Sequence, residues 1–466
     1  MPYGKNCPAA CVENFIEIFK RLGKGQVNPT GVLNAEALSC RELNLAKFRE
    51  VLSERNFFLL WVGQIISQFG DRLNQVALIA IVHDRTPGSP FELAKLFSFT
   101  IIPSFFVSPI AGAFIDRWDK KRTMIGCDIL RGLIVFVIPF AFLNLTPRFP
   151  IYSAVFFIFA VSCFFLPARL SIIPDLVSKE KLLVANSLFT VTGMIGAVFW
   201  FVVGGLLVEL LKVRGGLYLN SFVYLFSAAA IVFITGHRRR RQKTQNPAVN
   251  IEEIIKTSLV REIRDGFKYL KDHSEARFAF RMLFVLMAGA GAAYAVVIVF
   301  IQQAMGSMTR DLSLLGMFLG AGFFIGSLIY GKIGHRFSKT KSIFMCLILC
   351  GIAMCAFTAV LKGTKSFAGA SSVAMVLGIV TAPIGISTNT MIHEMVVERM
   401  RGRIFSSLGI AMNLAFLIFM LGASKLAESI DSGWILYGVS VFYVISGLLG
   451  FIDLHLFREK GINGRS

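Results

Sequence analysis

From residue 56 onward, apolar positions run in long unbroken blocks separated by short polar stretches. A hydrocarbon core about 30 Å thick takes roughly 20 helical residues to cross, so each block predicts one membrane-spanning helix. The blocks fall at 57–82, 93–115, 123–143, 151–173, 186–211, 217–236, 279–303, 312–334, 342–361, 368–392, 404–425 and 433–457, twelve in all. They are rich in Leu, Ala, Gly and Phe and lack the ten-residue alternation of a barrel strand, which must face lipid on one side and lumen on the other. The chain therefore reads as an all-α membrane protein built from two six-helix bundles. The expected boundaries are an N-terminal segment at 1–55, a first bundle at 56–236, a linker at 237–278, a second bundle at 279–457 and a tail at 458–466.

Composition agrees with the pattern: 55% of residues are hydrophobic and only 16% charged, against about a quarter charged in soluble domains. The net charge of +20 raises the question of nucleic acid, and its distribution answers it. Lys and Arg concentrate in the N-terminal segment, the even-numbered loops and the C-terminal tail. By the positive-inside rule this puts both termini in the cytoplasm, with the chain an integral multi-pass protein of the inner or plasma membrane. The run Arg238 to Arg241, just after the sixth span, reads as a contact for lipid phosphates and not as a nucleic-acid site. Downstream, Ile263, Phe267 and Leu270 recur at helical spacing beside Arg264, Lys268 and Lys271, which predicts an interfacial helix in the linker. Residues 1–55 stay open between a membrane-surface helix around Phe15 to Phe19 and a disordered tail.

Some chemistry is excluded. No stretch between the spans is long enough for a soluble catalytic domain, so an enzyme is not expected. The eight cysteines show neither metal nor disulfide spacing, and no Gly-x-x-x-x-Gly-Lys-Ser/Thr phosphate loop is present. Neither a cofactor nor direct ATP drive is expected. Energy would come from an ion gradient or from the solute's own gradient.

One short signature occurs twice. Gly112, Asp116, Arg117, Lys120, Lys121 and Arg122 follow the second span of the first set; Gly331, His335, Arg336, Lys339 and Lys341 follow the second span of the other. Tandem bundles with matching features at matching places are a common plan of alternating-access carriers. The signature resembles the loop motif of the major facilitator superfamily, with Asp119 where a second glycine is usual. Within that superfamily the chain is most similar to the drug/proton antiporter branch that holds the macrolide efflux proteins and the enterobactin exporter. The stretches that carry this are Asn56 through Asp71; Asp128, Arg131 and Gly132; Pro167 through Leu176 with Ala185 and Asn186; and Arg401 to Arg403. The resemblance implies that Asp116 and Arg169 form a charge relay locking one conformation; Arg169 snorkelling to headgroups is the competing reading. The chain departs from the antiporter pattern in span five, where Trp200 and Phe201 replace a Gly-Pro pair beside Gly196, Gly204 and Gly205. Rings there predict a differently packed extracellular gate.

Candidate site residues follow from polarity inside spans. Gln64, Gln68, Asp71 and Gln75 recur at helical spacing on one face of span one, a stripe that must face the bundle interior or a cavity, since polar groups in lipid are costly. Asp71, mid-span, is the first candidate for proton or substrate-cation binding; a purely structural ion pair is the alternative. Tyr224 in span six, Asn389 in span ten and Asn413 in span eleven are further cavity candidates, although Ser, Thr and Asn often serve only their own helix. Asp128 and Arg131 stand three apart in span three and can pair; with Gly112, Asp116, Arg117, Lys120, Arg122 and Arg169 they make up a candidate gating set. No metal site is expected.

The expectation is a monomeric, proton-coupled secondary transporter exporting a hydrophobic or amphipathic small molecule of drug or siderophore type, with membrane lipids around it and no nucleic-acid partner. The alternatives are a lipid or lysolipid transporter between leaflets, and a non-transporting sensor or assembly factor of the same fold.

Overall fold

The computed structural model describes residues 50–115, 118–142, 149–178, 181–235, 274–395 and 401–462. Residues 1–49 of the N-terminal segment, nearly all of the linker with its expected helix, and the loop residues Asp116 and Arg117 lie outside these. The helices are α1 (Arg55–Arg85), α2 (Pro90–Ile115), α3 (Lys120–Val137, running on into a π-turn at Ile138–Phe142) and α4 (Phe149–Leu176). Next comes a continuous Leu182–Val232 segment, then α7 (Ser274–Met305), α8 (Arg310–Ile333), α9 (Lys339–Gly363), α10 (Phe367–Met395), α11 (Arg401–Leu426) and α12 (Ser432–Ile462). The Leu182–Val232 segment is two helices, 182–211 (α5) and 213–232 (α6), folded back at Lys212. Lys212 has φ 60° and ψ 177°, a region of backbone space used almost only by glycine. A single residue replaces the short loop expected between spans five and six.

Ten of these segments are long and apolar enough to cross a membrane, the α5–α6 segment counting once. The helix that misses the criterion is α1, and its polarity is the reason. Arg55, Asp71, Arg72, Asp84 and Arg85 all lie in it, along with the glutamine stripe. It crosses because other helices cover it: Gln64, Ser67 and Asn74 are each at most 2% exposed.

α1, α3, α5 and α6 pack together and α2 packs on α4; in the second half α8 pairs with α10, α9 with α12 and α7 with α11. The face that carries the turns at 86–89, 212, 306–309, 364–366 and 427–431 is here the hairpin face; the opposite one, where the described chain begins and ends, is the terminal face. Toward the hairpin face a single apolar core runs through both halves, from Leu73 to Ile81 of α1 to Ala295 to Ile301 of α7 and Met420 of α11. Toward the terminal face the core splits. One cluster around Phe57, Met124, Ile172 and Ile231 belongs to the first half, and another around Leu286, Phe344, Leu347 and Ile384 to the second.

The α8–α10 seam shows how closely helices approach here. A Cβ at Gly378 would meet the carbonyl oxygen of Leu319 and lie 2.7 Å from the Phe323 nitrogen, and one at Gly322 or Gly326 would meet the carbonyls of Met375 and Ile379. Close approach of this kind is how membrane helices associate when both lipid and partner are apolar. Backbone cannot give way as a flexible side chain can, so Gly378→Val should destabilise the second half by about 1–3 kcal/mol. A lower thermal midpoint in detergent measures this; an unchanged one would mean the helices can separate without loss.

Candidate functional site

The site grows from the polar stripe of α1. Helical spacing turns Ser67 and Asp71 toward α3, α4 and α6, and there they meet Arg131 of α3, which is 1% exposed. Arg131 Nη1 donates to Asp71 Oδ1 at 3.1 Å and to Ser162 Oγ of α4 at 3.3 Å, while Nη2 donates to Ser67 Oγ at 3.3 Å and pairs with Asp128 one turn earlier on its own helix. The guanidinium lies against the rings of Phe165 and Tyr224, 4.6 and 4.7 Å from their centroids, close enough for cation–π attraction. The Tyr224 hydroxyl donates to Asp71 Oδ1 at 2.9 Å. Asp128 is fully buried, and the Ser227 hydroxyl lies 2.7 Å from its Oδ2 and 2.9 Å from the Gly63 carbonyl. With one hydrogen, Ser227 donates to one of the two at a time.

One arginine thus gathers four helices of the first half. Two carboxylates share it, and they differ in access. Asp128 is sealed, whereas the Asp71 side chain is 51% exposed. A buried guanidinium needs a counter-charge, which Asp128 supplies permanently. Of the two carboxylates on Arg131, Asp71 is the one that solvent reaches.

The other expected residues fall in several places. Gln64 is buried, its Oε1 without a partner among the described residues. The Gln68 amide lies over Gly193 and Gly196 of α5. Gln75 reaches the second half, donating to the Tyr294 hydroxyl of α7 at 2.9 Å and accepting from Arg72 at 3.1 Å. Asn389 and Asn413 are exposed, and among the described residues no hydrogen bond joins them to the Asp71 cluster. In the gating set, Gly112 is exposed, with no neighbouring atom within 4 Å of where a Cβ would stand. Lys120 bonds Asp175 Oδ2 at 2.8 Å and the Ser171 carbonyl at 2.7 Å, Lys121 bonds the carbonyls of Val232 and Ile234, and the Arg122 amide is capped by Asp119 at 2.9 Å. These bonds tie together the terminal-face ends of α3, α4 and α6 within one half. Arg169 lies 5.9 Å from the Phe189 ring; its expected partner Asp116 is outside the described residues. Asp128 and Arg131, grouped in sequence with the gate, share one cluster with Asp71 and Tyr224.

The halves meet at the hairpin face. Tyr294 stands edge-on to Phe97 of α2 and Phe416 of α11, at 5.2 and 5.4 Å. Of the two rings expected to crowd span five, Phe201 meets a glycine of the other half and Trp200 turns back onto its own. Phe201 packs on Gly316 and Val198 on Gly320, both of α8, while Trp200 turns to Phe69 at 4.9 Å. Sequence reasoning missed Ser227, although Asn220, Tyr224 and Ser227 lie at i, i+4 and i+7 on one face of α6. It also missed Glu209, whose partners are mostly backbone amides and leave no trace in side-chain spacing.

The family profile described as Major Facilitator Superfamily matches residues 60–371 and 282–464. The chain is 24% identical over 422 residues to the MFS-type transporter YkuC of Bacillus subtilis (strain 168), covering 89% of this chain and 95% of that protein. It is 23% identical over 408 residues to macrolide efflux protein A of Streptococcus pyogenes, covering 84% and 93%. Among solved structures, a variant of the nucleoside transporter NupG superposes with a TM-score of 0.66 at 12% identity, over 85% of this chain and 99% of that one.

Proposed function

The chain belongs to the Major Facilitator Superfamily and is a transporter of the membrane; from that premise we propose that it is a proton-coupled exporter working by alternating access. The observation that carries the reading is the split core. The halves share one apolar core at the hairpin face and have separate cores at the terminal face, an arrangement that supports rocking of the halves about the shared core. Asp71 supports the coupling: it is a half-exposed carboxylate beside a buried arginine that keeps a second counter-charge. A proton on Asp71 weakens its bond to Arg131 and leaves the Asp128 pair intact, so loading and unloading it need not unfold the site. The basic loops support a cytoplasmic terminal face, and on that reading this is the conformation open to the inside.

The solute is proposed to be amphipathic, since the first half carries the aromatic pair Phe69–Trp200 and the second the pair Tyr294–Phe416, and the relative named for macrolide efflux points the same way. Purified protein in vesicles with an imposed pH gradient tests both parts, using a radiolabelled macrolide and ethidium as probes. Accumulation that follows the gradient and vanishes with a protonophore is the expected result. Movement of probe indifferent to the gradient would remove the coupling.

A further inference from the structure

At the hairpin face α8 begins with Thr309 in the capping position, yet the Thr309 side chain does not cap its own helix. Its hydroxyl instead lies 2.9 Å from the Gly205 carbonyl of α5, in the other half, and 3.1 Å from Glu209 Oε2, and with one hydrogen it donates to one of the two at a time. The first amides of α8 are covered from across the seam. Glu209 Oε2 accepts from the Thr309 amide at 2.7 Å and the Arg310 amide at 3.3 Å, and Oε1 accepts from the Met308 amide at 3.4 Å. Of the next turn, Ser307 serves the Asp311 amide from within the second half.

A helix start leaves amides unpaired and carries partial positive charge, so a carboxylate is its natural cap. Here the cap belongs to one half and the helix to the other. The bonds therefore form only while the hairpin face is shut, and they cannot follow α8 when the halves part. Around them the packing has the same dependence: Gly205 lies against Ser313, and Phe201 against Gly316.

We propose that Glu209 is the latch of the transporter: a helix cap lent by the first half to the second, which holds the hairpin face closed and must be released for that face to open. The proposal rests on the alternating-access reading. Its separation from solute and proton chemistry is part of the content, since Glu209 bonds backbone amides and a threonine hydroxyl and does not touch the Asp71 cluster.

Amide hydrogen exchange on the full-length protein in nanodiscs tests it, because the capped amides are themselves the reporters. Charge-assisted bonds of this kind, once removed, should raise the open population about tenfold or more. In Glu209→Ala, exchange is expected to rise by that factor in 198–209, 294–303 and 308–320 together, and to fall at the terminal-face start of α5. Glu209→Gln keeps one acceptor and should lie between, and Thr309→Val should shift the same segments without altering the carboxylate. Faster exchange confined to 308–311 would mean a local cap only and would overturn the latch. If acidification or added macrolide shifts the two faces of the native protein oppositely while the Glu209 variants match it, the latch falls and the transport reading stands. No shift at either face in any protein would overturn both.

Discussion

Asp71→Asn is expected to reduce gradient-driven movement of solute in reconstituted vesicles to the level of empty ones, with solute binding and thermal stability kept. The asparagine carbonyl occupies the place of Oδ1 and still accepts from Arg131 and from Tyr224, whose donors lie 3.1 and 2.9 Å away. Arg131 also keeps Asp128, so no charge is stranded. What is lost is the acidic group of the described cluster that solvent reaches, which on the proposed reading is the proton carrier. Downhill exchange of labelled for unlabelled solute should survive, because it needs the conformational cycle and not the gradient. Transport still driven by a pH gradient in this variant would take Asp71 out of the coupling role and leave it a structural ion.

Arg131→Met should act on stability before it acts on transport. It leaves Asp128, which is 0% exposed, with Ser227 as its remaining side-chain donor. Removing one partner of a buried ion pair costs about 3–5 kcal/mol, most of it the uncompensated charge left behind. The same substitution cuts the bonds that join α1 and α4 to α3. A large fall in thermal midpoint in detergent is expected, and adding Asp128→Asn to it should recover part of the loss, because nothing ionised is then sealed in. A loss under about 1 kcal/mol, the range of an exposed pair, would show that water reaches the cluster. An equal loss in the double variant would assign the effect to packing against Phe165 and Tyr224.

The two predictions separate roles that the sequence left mingled. Asp71 was legible because an acid in the middle of an apolar block demands a partner, and the Asp128–Arg131 pair because residues three apart on a helix meet. Their meeting with each other was not, since Asp71 and Arg131 are 60 positions apart and helical periodicity says which residues share a face but not which faces oppose. The same limit hid the α5–α6 turn. Lys212, Arg214, Gly215 and Gly216 read as a loop, yet the apolar residues on both sides extend the two helices until one lysine is left to make the reversal. The spans themselves were readable to within a few residues because length and hydrophobicity are set by the bilayer. Polar satisfaction within the bundle is set by three-dimensional neighbours, and for that a linear pattern carries little.

The polarity of α1 bears on how the protein is made. Asp and Arg each cost about 2.5–3.5 kcal/mol at the centre of an inserting helix, and α1 brings Asp71 and Arg72 together near its middle. As the chain leaves the ribosome, the guanidinium that answers Asp71 is still 60 residues behind, and the Tyr224 hydroxyl 153 behind. The opening helix must therefore wait beside the insertion channel, poorly matched to lipid, until the third helix arrives, and it becomes fully matched only with the sixth. Assembly of this half is thus cooperative in time: until Arg131 has been made, Asp71 lacks the buried guanidinium it meets in the folded bundle.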